Sequence, residues 1–266
     1  MGYRRLLTLL LLWLPLQLRA EPVHLTTLEW PPYTSQHLPD GGLTGHIVKR
    51  AFAEAGLEVQ FDFYPWHRAM LLASDPAQHY SGYFPKYFAD DLDKRWHIST
   101  SVGSSVLGMA QQAGPPIHWQ RLEDLASYRI GVVAGYINTR EFDALMASKR
   151  LNTFAVDDDH LNLRKLQRDR LDLAVIDRDV FYWLTYHDDK LHPEQLQFNP
   201  KILGYKSLHI MFRPDQQQLQ QRVNNALARL DIKQLSEQYQ RRYLLSAPAP
   251  PMSRVAEHPI CQKRYL

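Results

Sequence analysis

The run Val23-His24-Leu25-Thr26-Thr27-Leu28 sets Val23, Leu25 and Thr27 on one side of a period-two alternation and is stopped by Glu29-Trp30-Pro31-Pro32-Tyr33. Alternation of that kind is a strand signal, and two successive prolines continue neither a strand nor a helix, so a turn is predicted there. A carboxylate, an indole and a phenol thereby stand at the C-terminal end of an early strand, where open α/β sheets present ligand-binding groups. Glu29, Trp30 and Tyr33 are candidate site residues on that ground, although packing beside a proline turn accounts for the two rings equally well. From Gly45 the apolar residues Ile47, Val48, Ala51, Phe52 and Ala55 fall on one helical face, with Gly56 placed as the stop. Leu57, Val59, Phe61 and Phe63 then alternate with Glu58, Gln60 and Asp62, a second strand. This β-loop-α-β order predicts a parallel pair with a crossover helix.

Residues 66–73 read as a short helix after Tyr64-Pro65, and residues 81–87 as a brief strand ending in a proline turn at Pro85. Trp66, Tyr83 and Phe84 stand in two further aromatic sheet-edge loops and join Trp30 and Tyr33 as candidates. Flat rings there suit stacking on a small ligand, or equally a hydrophobic subcore beneath the loops. Val106 to Ala110 forms a crossing strand, and the break Gly114-Pro115-Pro116 is the first candidate hinge. A buried strand at 128–133 leads through Ala134-Gly135-Tyr136-Ile137-Asn138 to a helix with Thr139 as N-cap. Backbone N–H groups at such a helix start are anion donors, or simply the turn's own. A short strand at 154–156 and an amphipathic helix at 160–168 follow. The apolar strand 171–177 ends in Asp177, a carboxylate that points into a crevice or caps the next helix, 179–186. A return strand, 203–212, gives a second crossing, and residues 215–243 carry apolar positions at helical spacing, two helices meeting near Asp231.

Composition changes the picture at both ends. Arg4 and Arg5, the apolar run 6–16 and Ala20 before Glu21 read as a cleavable secretory signal, and the apolar run is short for a membrane span. The chain of 266 residues has 31 Lys and Arg against 28 Asp and Glu. Three of the arginines and no acid lie in the first twenty residues, so the remainder is formally neutral, without the basic footprint of a nucleic-acid binder. The single cysteine, Cys261, excludes an internal disulfide and lies in a Pro-rich tail expected to be extended. No phosphate loop, serine nucleophile elbow or zinc-protease motif occurs, and the twelve histidines are scattered without ligand spacing, so neither metal nor cofactor is expected.

The order Leu-Glu-Trp-Pro-Pro-Tyr, Gly45-His46-Ile47-Val48, Phe63-Tyr64-Pro65-Trp66-His67-Arg68-Ala69 and Gly82-Tyr83-Phe84-Pro85 resembles the extracellular solute-binding proteins of the polar amino-acid type. More narrowly, it resembles their Trp-x-Arg-Ala subgroup in Gram-negative periplasms. The resemblance implies an α/β, two-lobed, type II periplasmic-binding-protein-like fold of the Venus-flytrap kind, with two hinge-crossing strands. The implied division is a signal at 1–20, a first lobe at 21–105 and 205–245, a second at 106–204, and a tail at 246–266. It further implies a periplasmic, non-enzymatic monomer that closes on a small-molecule ligand and passes it to an ABC permease, with no cofactor and no nucleic acid.

On that reading Trp30, Trp66 and Tyr83 form a first-lobe wall, Tyr136 and Asn138 donate from the second lobe, and Asp177 meets the ligand's amino group. Glu29 faces the same space or supports Arg68. The arginine that clamps an α-carboxylate in such binders falls, by counting, on Leu92. Arg95 after a slip in the count, Arg68, or Lys86 then supplies the charge, or the solute is not a standard α-amino acid. Two alternatives share the scaffold: a periplasmic dehydratase of the cyclohexadienyl type with Asp177 or Glu29 as general acid, and a sensor that presents its closed form to a membrane receptor.

Overall fold

The computed structural model describes residues 21–88 and 96–245. Leu92, Arg95, the signal segment, Cys261 and the tail therefore lie outside the described residues. In chain order the elements are β1 (Val23–Thr27), α1 (Leu43–Glu54), β2 (Val59–Phe63), α2 (Trp66–Ser74), β3 (Tyr80–Tyr87), β4 (His97–Ile98) and β5 (Gly103–Gln112). There follow β6 (Ile130–Val133), α3 (Arg140–Ala147), β7 (Thr153–Val156), α4 (Asp159–Gln167), β8 (Leu173–Asp177), α5 (Arg178–His187), β9 (Leu196–Phe198), β10 (Gly204–Phe212), α6 (Gln217–Leu227) and α7 (Ile232–Tyr239).

Two half-sheets share one strand order. In the first, β2-β1-β3 run parallel and β10 closes them antiparallel. In the second, β7-β6-β8 run parallel and β5 closes them antiparallel. The closing strands join the halves: β5 and β10 pair with each other from Gly103↔Leu208 to Leu107↔Gly204. Beyond that pairing β10 runs on along β3, and β5 along β8. Two lobes linked by two crossing strands are thus written in the register, and the fold is the two-lobed periplasmic-binding-protein type. The parallel strands of both halves end toward the junction, which is where such sheets present binding groups.

Burial of apolar stripes holds each lobe together. Ile47, Val48, Ala51 and Phe52 of α1 are essentially sealed, a one-sided stripe from which Phe52 stacks on Phe212 of β10 at 6.5 Å, and the helix also packs against α6 and α7. Gly56, at φ +69°, ends that helix in the left-handed conformation glycine adopts without strain. In the second lobe α4 packs on β6 and β8, and α5 on β5 and β8, with Leu163, Leu166, Val180 and Phe181 buried between them.

Two expectations are corrected. The third strand does not end at Pro85 but continues to Tyr87, because its register with β10 shifts between His209 and Met211. Phe84 and Pro85 sit in that irregularity, where a residue without an N–H breaks no ladder bond. Gly114-Pro115-Pro116 is not the hinge. It follows β5 after the crossing and is pinned within the second lobe, where Gln197 Nε2 donates to Gly114 O at 2.7 Å and Gln111 Oε1 accepts from Ile117 N at 3.0 Å and Asn199 Nδ2 at 2.6 Å.

Candidate functional site

Behind β1 the Trp-Pro-Pro-Tyr stretch folds into a tight turn, with Trp30 N donating to Thr34 O at 2.7 Å and Thr34 N to Trp30 O at 3.1 Å. The turn stacks Tyr33 on Trp30, centroids 4.7 Å apart, and docks on the start of α1, where Leu43 N donates to Pro32 O at 2.9 Å. Trp66 opens α2 and meets Tyr136 of the opposite lobe edge-on at 6.1 Å. Its Nε1 donates to Gly135 O at 3.1 Å. Gly135 has φ +77°, a conformation other residues reach only with strain, so the carbonyl that receives Trp66 depends on glycine. Lys86 Nζ lies 5.1 Å from the centre of the Trp66 ring.

The second lobe supplies acids. Asp177 ends β8 and caps α5, Oδ1 accepting from Asp179 N at 2.9 Å and Val180 N at 3.4 Å, and its Oδ2 receives Tyr87 Oη at 3.3 Å. Ser105 Oγ donates to the same phenol at 3.0 Å. Asp159, first residue of α4, is buried nearby. Trp30 Nε1 lies close to Asp159 yet outside hydrogen-bond geometry, and no other partner satisfies it. Burial raises the Asp159 carboxyl to about 8 and the Asp177 carboxyl to about 7, each pushed further by a neighbouring aspartate. Among the described residues neither acid has a cationic side chain in salt-bridge range. The phenols Tyr33, Tyr87 and Tyr136 are likewise held far above their ordinary range, first by burial and then by these acids. Burial draws the Lys86 ammonium down to about 8, with Asp143 pulling it back up. Lys206 is lowered by the same cause and donates to Asn138 O at 2.7 Å.

Between the lobes lie two small cavities, of about 30 Å³ and about 10 Å³. Trp30, Tyr87, Tyr136 and Ile137 line both, Trp66 and Lys86 the larger, and Asn138, Asp159 and Asp177 the smaller. Each has room for a water or two, far short of the hundreds of Å³ that small-molecule pockets occupy. The jaws are shut by direct contacts: Trp66 to Gly135, Tyr87 to Asp177, Lys206 to Asn138, and Tyr33 Oη to Asp179 Oδ2 at 3.3 Å. A solute enters only after these separate.

Of the residues expected from sequence, Trp30, Trp66, Lys86, Tyr136, Asn138 and Asp177 converge on this closed cleft. Asn138 holds its side-chain amide on Asp143, Nδ2 to Oδ1 at 2.8 Å. Tyr33 bridges the lobes beside the cavities. The others stand apart. Glu29 is exposed and braces the proline turn, Oε1 accepting from Gln36 N at 2.9 Å. Arg68 is exposed over the Tyr64 ring at 5.2 Å. Phe84 is sealed in the first-lobe core against Phe61, and Tyr83 is buried between Trp66 and Trp96.

Tyr87 and Asp159 were not singled out by sequence. Asp159 closes the triplet Asp157-Asp158-Asp159 after β7, and the strand-end rule that marks Asp177 applies to it equally. Histidine spacing likewise gave no sign of the cluster that folding gathers from His24, Asp62 and His79. No helix among the described residues is long and apolar enough to cross a membrane.

No protein-family model matches the chain, and no curated protein matches it by sequence. Solved structures do match by fold. A histidine kinase sensor domain with similarity to periplasmic binding proteins superposes at TM-score 0.70 and 15% identity, covering 85% of this chain and 97% of its own. The glutamate-bound GluR0 ligand-binding core from Nostoc punctiforme superposes at 0.67 and 16%, covering 84% and 99%. A P235GK mutant of the arginine-binding protein ArgBP from T. maritima superposes at 0.65 and 15%, covering 84% and 95%. At these identities the likeness is one of fold: the chain is built like two-lobed ligand-binding cores over nearly their whole length.

Proposed function

We propose that this chain is an exported solute-binding protein that closes on a small cationic or zwitterionic solute of the amino-acid class. Residues 21–105 and 205–245 form one jaw and residues 106–204 the other. The observation that carries the reading is the pair Asp159 and Asp177, buried at the lobe junction without a cationic partner. Buried acids are disfavoured as anions unless a positive charge is brought to them, and an ammonium group entering an open cleft does that. Trp30 offers an indole N–H left unsatisfied in the closed form, and Lys86 is the cation in the larger cavity, placed for a carboxylate. As a point charge Lys86 orients a carboxylate less strictly than an arginine fork, so tolerance among carboxylates is expected.

Ligand contact with both jaws stabilises the shut state over the open one, which is the whole of the conformational mechanism. Delivery to an ABC permease and presentation to a membrane sensor use the same closure and differ only in what reads the closed face. The relatives by fold that bind glutamate or arginine, and the kinase sensor domain, support both uses. The test is a thermal-melt screen of the purified chain with amino acids, polyamines, small carboxylates and sugars. A solute bearing an ammonium group raises the melt by mass action, while neutral sugars and dicarboxylates do not.

A second reading rests on the same acids. Burial raises Asp159 to about 8 and Asp177 to about 7, the range a general acid needs near neutral pH, which suits dehydration of a hydroxylated substrate. Incubation with prephenate or arogenate separates the two: an aromatic product supports catalysis, and its absence beside a stabilised melt supports binding.

A further inference from the structure

We infer that His24, Asp62 and His79 form a binding site for a divalent transition-metal ion of the zinc type, away from the cleft on the first lobe. The three come from separate segments: His24 from the start of β1, Asp62 from β2 and His79 from the turn that enters β3. Register brings them together. His24 pairs with Tyr80, the neighbour of His79, and Asp62 pairs with Thr26, two residues along the same face from His24. One ligand atom from each side chain lies within 4.8 Å of the other two.

The geometry is near that of a first coordination shell. His24 Nδ1 and Asp62 Oδ2 are 3.2 Å apart. Two ligands at about 2.0–2.2 Å from one ion stand about 3.0–3.5 Å apart, so this pair is already set. The His79 ring meets the His24 ring edge-on, centroids 4.6 Å apart, with its ligand nitrogen within 4.8 Å of the other two ligand atoms. His79 is exposed, its ring resting on Tyr80 with centroids 4.3 Å apart, whereas His24 and Asp62 are half-buried on paired strands. Two imidazoles and one carboxylate suit zinc, nickel, copper or cobalt; calcium and magnesium favour all-oxygen shells. Three protein ligands leave a fourth position for water or a small anion.

His24 and His79 stand toward the start of β1 and Asp62 beside Thr26, and none of the three lines either cavity, so an ion there would clip β1, β2 and the approach to β3 without entering the solute cleft. Asp62 and His79 play no part in the proposed solute site, and the two inferences stand or fall separately.

Calorimetric titration of the purified chain with Zn²⁺, and with Co²⁺ followed by visible absorption, tests it. The expected result is one saturable equivalent at micromolar or tighter affinity, with a ligand-field spectrum for cobalt. His79→Ala, a change at an exposed position, lowers the affinity by about a hundredfold or more, since even outer-shell changes cost about ten- to a hundredfold. Asp62→Asn lowers it as well, and zinc raises the melt of the parent chain but of neither variant. Absence of saturable binding overturns the site, as does an equivalent whose affinity His79→Ala leaves unchanged.

Discussion

A carboxyl group buried without a cation is unstable as an anion, and two such groups share this lobe junction. At Asp177 the charge and the cap are separable. Asp177→Asn keeps a good N-cap for α5 and removes only the anion. Calorimetry is then expected to show at least a hundredfold weaker binding of an ammonium solute, with the solute-free melt unchanged or raised. Asp177→Ala removes the cap too, and the melt is expected to fall by about 1 kcal/mol worth of stability. An Asn variant that binds as tightly as the parent would exclude Asp177 from the site.

Titration follows from the same groups. Both carboxyls sit above the ordinary aspartate range in the closed form, chiefly because they are buried, and opening, by admitting water, is expected to relieve that cause. The closed form therefore binds more protons. Its advantage is complete below the ordinary value of about 4 and is lost as pH rises through about 7 and 8. Lys86 works in the other direction, but only above its lowered value of about 8, so the window from pH 5 to 7 belongs to the acids. A solute cation drives the carboxyls to ionise, so binding near pH 6 releases protons. Heats measured in buffers of different ionisation enthalpy are expected to reveal that release, and equal heats would contradict it.

At the scale of elements, the strand ends decide where chemistry goes. Sequence patterning located β1, β2, β8, the crossing strands and the seven α-helices of the described residues to within a few positions, because each carries a clear apolar period or a cap. The short strands β4 and β9 carry too few residues for a period, and the run through Pro85 is legible only once the bulge opposite Ile210 is known. Trp30 and Asp177 were found as strand-end residues, Trp66, Tyr136 and Asn138 as residues of the loops and helix start beyond strands, and Lys86 as a substitute for the carboxylate clamp. Arg68 and Phe84 belonged to the same motifs but face elsewhere, since a motif fixes order and not side-chain direction.

Tyr87 illustrates what only the fold shows: the final residue of β3 reaches across to Asp177. Tyr87→Phe removes that contact and is expected to cost the closed state about 1 kcal/mol, read as a shift toward open conformers with little change in the secondary-structure spectrum. Gly135→Ala acts at the other latch, where φ +77° strains any residue with a Cβ, although the added Cβ itself would meet the Trp66 ring at 3.5 Å, an ordinary contact. A loss of about 1 kcal/mol in the closed form is expected, measurable as a lowered solute-free melt.

The whole molecule is two like half-sheets joined by β5 and β10, closed on cavities too small for a solute. Closure in this form includes four polar contacts between the jaws among the described residues and buries two acids whose carboxyls are raised toward neutral pH, so both protons and a solute cation favour it, by different means. Small-angle X-ray scattering of the purified chain measures that directly. Without solute, the radius of gyration is expected to be smaller at pH 5.5 than at pH 8.5. Adding at pH 8.5 an ammonium-bearing solute selected by the melt screen is expected to return it to the compact value. A radius that responds neither to pH nor to a saturating solute would contradict the account.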